Sequence, residues 1–144
     1  MSGTLYNMDI LRLAANIPHL KRLERAQATV ERRSPTCGSR VLVDVALNDE
    51  GQISDLGWEV NACALGQASA SLLSTHAIGH SAQEIAQARD ALTAALSGQG
   101  DFSFWPGMEV LAAARDYPAR HPSIRLAFEV LAEAAAAAGR EQAA

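Results

Sequence analysis

Apolar residues alternate along the front of the chain and recur with helical spacing along the back. Near the N-terminus Leu5, Met8, Ile10, Leu11 and Leu13 recur at helix-like intervals, which predicts a short helix that ends before Pro18. Residues 26–33 alternate weakly, and residues 40–47 alternate well, with Val41, Val43, Val45 and Leu47 on one face. Asn48-Asp49-Glu50-Gly51 is a turn sequence, after which Ile53, Leu56, Trp58 and Val60 predict a third strand returning as a hairpin. From Ala62 to Leu73 the pattern changes to small residues and leucines, which predicts a helix with Cys63 in its first turn and its Gly66, Ala70 and Leu73 side against the sheet. Ser81 and Glu84 make a capping box for a helix over 82–96, halted by Ser97-Gly98-Gln99-Gly100. A short helix over 108–115, a rigid turn over 117–122 and a final helix over 123–138 complete the chain, with 139–144 as a frayed tail. Strands grouped and then helices grouped predict an α+β fold, a three-stranded antiparallel sheet with helices packed on one face, as one domain over 1–144.

Composition narrows the function classes. At 144 residues, 49% hydrophobic and 19% charged, the chain suits one globular domain. No apolar run reaches the roughly 18 residues needed to cross a bilayer, and the first residues lack the basic region and apolar stretch of a secretory signal. A cytoplasmic protein without a membrane partner is therefore expected. The net charge of −4 gives no global basic field for nucleic acid. Residues 1–40 nevertheless carry net +4, which fits either a solvated face or a docking surface for an acidic partner.

Two cysteines carry the candidate chemistry. Cys37 lies in Ser34-Pro35-Thr36-Cys37-Gly38-Ser39, the composition of an exposed turn, with Arg33 and Arg40 on either side to favour its thiolate, the form that attacks sulfur and binds metals. Cys63 fits equally a small core residue and a thiolate stabilised at a helix N-terminus. The two stand 26 residues apart with no CxxC pair, so only the fold could unite them. His76 and His80 read as a solvated pair complementing a helix C-terminus, His121 as an exposed turn residue, and Ser123 as an N-cap or first-turn residue. No GxSxG, Walker, HExxH or GxGxxG sequence is present, so hydrolase, nucleotide-binding, zincin and dinucleotide readings have no local support.

Three segments carry a resemblance. Ser34-Pro35-Thr36-Cys37-Gly38-Ser39-Arg40-Val41 resembles the N-P-x-C-G-D segment of the NifU/IscU/SufU-type iron–sulfur cluster assembly scaffolds. Ala62-Cys63-Ala64-Leu65-Gly66-Gln67-Ala68-Ser69-Ala70-Ser71-Leu72-Leu73 is similar to their G-C-x-I-S-x-A-S-A-S-x-M run. Tyr117-Pro118-Ala119-Arg120-His121-Pro122-Ser123-Ile124-Arg125-Leu126-Ala127-Phe128 resembles their F-P-A-R-x-K-C-x-x-L-A-W run. The resemblance implies the SufE/NifU-like fold and a scaffold that is not an enzyme. It implies a cysteine desulfurase partner, apo iron–sulfur recipient proteins, and three cysteines with one aspartate holding a cluster, such as [2Fe-2S], or zinc. Cys37 and Cys63 match the first two cysteines, whereas Ser39 stands at the aspartate and Ser123 at the third cysteine. A serine hydroxyl is a harder and less acidic donor than a thiolate, which weakens the site. His121 could complete a Cys2His set, and a homodimer sharing Cys37 and Cys63 of each subunit would supply four thiolates. Thr36-Cys37-Gly38-Ser39-Arg40-Val41 is also similar to the G-C-x-S-x-V stretch of SufE-type sulfur acceptors. That implies an alternative role in which Cys37 takes up persulfide sulfur, with Cys63 structural or resolving. A third role is a degenerate partner that binds the desulfurase through its basic N-terminal surface without a cluster.

Overall fold

The structure, a computed structural model, describes residues 5–35 and 38–143. Helix α1 (Met8–Ala15) is followed by strands β1 (Ala28–Arg33), β2 (Arg40–Leu47) and β3 (Ile53–Asn61), then α2 (Ala64–His76) and α3 (Ala82–Leu96). Two 3-10 helices (Met108–Asp116 and Pro118–Arg120) lead into α4 (His121–Ala143). The sheet is antiparallel throughout, in the order β1-β2-β3.

Most elements stand where the apolar pattern puts them, and the displacements have local causes. Helix α1 starts later than Leu5 because Asn7 is its N-cap, its side chain accepting from the Ile10 N–H at 3.0 Å. The expected helix over 108–115 is a 3-10 helix entered through Gly107 at φ +83. The expected frayed tail is helical: α4 runs to Ala143, and the Gln142 amide donates to the Asn48 carbonyl at 2.8 Å while accepting from Gln27 at 3.1 Å. Ser81 does cap α3 reciprocally with Glu84, whose carboxyl is held below its ordinary range chiefly by the Ser81 backbone N–H.

The sheet buries Val41, Val43, Val45, Leu56 and Trp58 on the face covered by α4. Helix α2 does not lie on the sheet as the pattern suggested. It packs between α1 and α4, and small residues explain why: Gly66, Ala68, Ser69 and Ala70 are buried and let its backbone approach α4. The Ser69 hydroxyl fixes that contact by donating to the Ile124 carbonyl at 2.7 Å.

The opposite face of the sheet is crossed by the segment after α1. Asp44 on β2 is fully buried there and accepts from the Arg22 guanidinium at 2.7 and 3.2 Å, the Leu23 N–H at 2.9 Å and the Thr29 hydroxyl at 2.5 Å. Gly57, paired with Asp44 in register, has no Cβ because the Lys21 carbonyl occupies its place. The His19 carbonyl completes the strap by accepting from the Trp58 N–H at 2.9 Å on the outer edge of β3. Burial pushes the Asp44 carboxyl up, but the bonds from Arg22, Thr29 and Leu23 and the Arg22 charge prevail and hold it below its ordinary value.

Candidate functional site

The site forms where β3 ends and three elements meet. β3 terminates at Asn61, and the chain turns at once into α2, so that Cys63 is the N-cap of α2 and not a residue of its first turn. Its φ and ψ of −66 and 169 are extended, its carbonyl accepts the first helical bond from Gln67 at 2.9 Å, and its side chain caps nothing. The thiol is thus left half-exposed beside the α2 N-terminus.

The β1–β2 hairpin supplies the second side. Its loop closes through the Ser34 N–H donating to the Ser39 carbonyl at 2.8 Å, and Gly38 takes the left-handed conformation at φ +72 that turns the chain back into β2. Ser39 points inward and is 3% exposed. Cys37, two residues earlier, lies outside the described residues. The third side is the first turn of α4, where Pro122 occupies an early position that needs no N–H donor and Ser123 faces the interior, 2% exposed.

These three residues meet. Ser123 Oγ lies 3.2 Å from Cys63 Sγ and 3.0 Å from Ser39 Oγ. Gly66 makes the meeting possible: a Cβ there would stand 2.5 Å from Ser123 Oγ and 3.1 Å from the Ser123 carbonyl. Cys63, Ser39, Gly38 and Asn61 line an open depression of about 590 Å³, with Arg33 and Arg40 at its rim.

The remaining expected residues are placed differently. His121 begins α4 with its ring turned to the 3-10 helix behind it, where Nε2–H donates to the Ala114 carbonyl at 2.8 Å. His76 ends α2 in an exposed position. His80 is only half-exposed, its ring 4.9 Å from that of Trp105 and its Nδ1 3.5 Å from the Glu84 carboxylate, so the two are not simply a solvated pair. Arg40, expected to favour a Cys37 thiolate, is engaged by Glu31 and Glu59. Two arginines of the basic N-terminal third pair with acids beyond residue 40, Arg22 with Asp44 and Arg32 with Glu133. Among the described residues no group of three or more His, Cys, Asp and Glu side chains is arranged to hold a metal ion. Sequence reasoning picked out Gly66 as a close-packing position but gave it the sheet as neighbour, whereas it packs on Ser123 of α4.

Chemically, the described part of the site offers one soft donor at a polar hollow, backed by two buried hydroxyls. A thiolate there could share an iron ion or attack a sulfur, and the hydroxyls could donate to it.

Comparison with known proteins gives a consistent answer. The family model described as NifU-like N terminal domain matches residues 5–124. The iron-sulfur cluster assembly scaffold protein IscU of Streptococcus pyogenes serotype M1 is 29% identical over 142 residues, covering 90% of this chain and 86% of its own. The IscU scaffold of Thermotoga maritima is 27% identical over 131 residues, with 90% and 92% covered. The crystal structure of the N-terminal part of a nitrogen-fixing NifU-like protein from Brucella abortus has a TM-score of 0.89 at 35% identity, covering 96% of this chain and 97% of that one. A SUF-system scaffold structure from Fervidobacterium islandicum AW-1, at 22% identity and a TM-score of 0.85, covers 94% and 99% and has the same fold.

Proposed function

Because this chain belongs to the NifU-like N terminal domain family, we propose that it is an iron–sulfur cluster assembly scaffold and not an enzyme, with iron and sulfide, or a nascent cluster, as its transient cargo. The single observation that carries the reading is the convergence of Cys63, Ser39 and Ser123 from three segments far apart in sequence, with Cys63 and Ser39 lining the hollow and Ser123 buried behind them. These are the positions at which the resemblance expects ligands.

In this reading Cys37 and Cys63 are the thiolate donors, and a cysteine desulfurase provides the sulfur. Serine at the other two positions makes a weaker donor set for soft metal ions. Weak ligation suits a holder that must hand its cargo to recipient proteins, since the cargo leaves when the recipient offers more thiolates. The α2 N-terminus favours the anionic form of a bound cluster, and Gly66 lets α4 bring Ser123 close to Cys63.

Anaerobic reconstitution with ferric iron and sulfide tests this directly. The wild-type chain gains the visible absorption of a thiolate-ligated cluster, Cys63→Ala abolishes it, and the double variant Ser39→Asp, Ser123→Cys holds it longer. Absence of a cluster in the wild type, together with transfer of persulfide sulfur to Cys37 alone when a cysteine desulfurase and cysteine replace the sulfide, would instead assign the chain to persulfide relay.

A further inference from the structure

Donor number limits what this chain can hold by itself. A zinc ion takes a tetrahedral set of four donors, and a two-iron cluster takes four from outside its sulfides. The sequence contains two cysteines, Cys37 and Cys63. Neither serine of the site makes up the number. Ser123 is 2% exposed and lies behind the hollow, and Ser39, 3% exposed, keeps its hydroxyl 3.0 Å from Ser123 Oγ. A serine hydroxyl is in addition a hard donor, poorly matched to a soft ion. The His121 ring is turned away to the Ala114 carbonyl, and among the described residues no group of three or more His, Cys, Asp and Glu side chains is arranged to hold a metal ion. Two positions of the set are therefore left to donors from outside the chain.

The hollow in front of Cys63 carries the signature of such a donor. It is open, polar and about 590 Å³ in volume, enough for a small molecule beside a metal ion. No acidic residue lines it, and Arg33, Arg40 and Asn61 stand in register across β1, β2 and β3 at its rim, all on one face of the sheet. Arg40 is committed to Glu31 and Glu59, whereas Arg33 is exposed and pairs with no carboxylate among the described residues. A guanidinium receives a carboxylate through two parallel N–H bonds, and the Asn61 amide at the other end of the row can donate as well. We propose that the hollow takes a low-molecular-weight thiol bearing carboxylate groups, whose sulfur fills a metal position beside Cys37 and Cys63 and whose carboxylate is held by Arg33. The inference rests on the reading of Cys37 and Cys63 as the thiolate donors of the scaffold site, and it deepens that reading by naming the ligand that completes them. Only coordination is involved: the metal takes the thiol sulfur, and the thiol proton passes to solvent.

Zinc with mercaptosuccinate, a thiol carrying two carboxylates, is the probe, read by anaerobic native mass spectrometry of the full chain, with 2-mercaptoethanol as the uncharged control. A species of one chain, one zinc and bound mercaptosuccinate is expected, and the thiol should leave on denaturation, which separates a ligand from a mixed disulfide. Arg33→Ala should raise the mercaptosuccinate concentration for half-occupancy about threefold, the effect of losing an exposed ion pair, while leaving that for 2-mercaptoethanol unchanged, and Arg33→Lys should recover part of the loss. Zinc bound without added thiol, in one chain or in a dimer sharing four cysteines, overturns the inference. So does thiol uptake that Arg33→Ala leaves unchanged or weakens equally for both thiols, and so does a chain that takes up no zinc with thiol present. Because zinc brings no sulfide, failure here leaves the scaffold reading to reconstitution with iron and sulfide. Failure of that reconstitution in a chain that binds zinc with mercaptosuccinate removes the scaffold reading and leaves the thiol site.

Discussion

Two glycines in helices allow the packing at the site to be weighed by one substitution made twice. Gly66→Ala places a methyl 2.5 Å from Ser123 Oγ, 2.9 Å from the Ala62 Cβ and 3.1 Å from the Ser123 carbonyl, and none of these is the far end of a flexible side chain. Relief requires the first turns of α2 and α4 to separate, and overpacking of this kind costs about 1–3 kcal/mol. Alanine returns up to about 1 kcal/mol of helix propensity at a mid-range cost of about 2 kcal/mol, leaving a net loss of about 1 kcal/mol. Gly139→Ala in α4 meets nothing within 4 Å, so propensity alone acts and the variant gains about 0.5–1 kcal/mol. Urea denaturation followed by the fluorescence of Trp58 and Trp105 reads both. Opposite signs are expected, with equal slopes against urea. A Gly66→Ala chain as stable as its parent would refute the claim that α2 and α4 are in closest contact at Ser123.

Three further outcomes follow from the fold. The folded Asp44 carboxyl is depressed, so its contribution is present above its unfolded pKa of about 3.9 and is lost as pH falls through the lower folded value. Asp44→Asn should therefore lower the thermal midpoint at pH 7 yet flatten its decline below about pH 4, measured by circular dichroism; an unchanged slope in acid would remove Asp44 from the account. Ser69→Ala leaves the Ile124 carbonyl without the side-chain donor that ties α2 to α4 and should cost about 1–2 kcal/mol in urea denaturation. Ser81→Ala breaks the reciprocal cap of α3, and a loss of about 1 kcal/mol is expected, with amide hydrogen exchange quickening at Glu84 and Ile85 before any other helix.

What could be read in the sequence was whatever short-range pattern encodes. The alternating segment 40–47 has the bounds of β2, although Leu42 and Asp44 on its other face are buried as well, and the Ser81–Glu84 box marked α3 because both signals depend only on neighbours. The resemblance identified Ser39 and Ser123 as companions of Cys63, and the fold brings all three together. The placement of α2 was not legible, since a stripe of glycine, alanine and serine can face a sheet or another helix; the choice was made by Ser69 finding the Ile124 carbonyl and Gly66 finding Ser123. Nor was the strap across the back of the sheet, because an isolated aspartate in a strand does not announce an arginine 22 residues earlier as its partner. His121 was misjudged for a related reason: the Ala114 carbonyl that takes its Nε2–H comes from a 3-10 helix, whose register the periodicity did not reveal.

The central claim is that the hollow at Cys63 holds iron–sulfur cargo. Anaerobic native mass spectrometry after incubation with a cysteine desulfurase, cysteine, ferrous iron and a thiol reductant tests it most directly. The account predicts a mass increment of iron plus sulfide that disappears in Cys63→Ala. A chain that gains sulfur alone, or an iron increment that survives loss of Cys63, would contradict it.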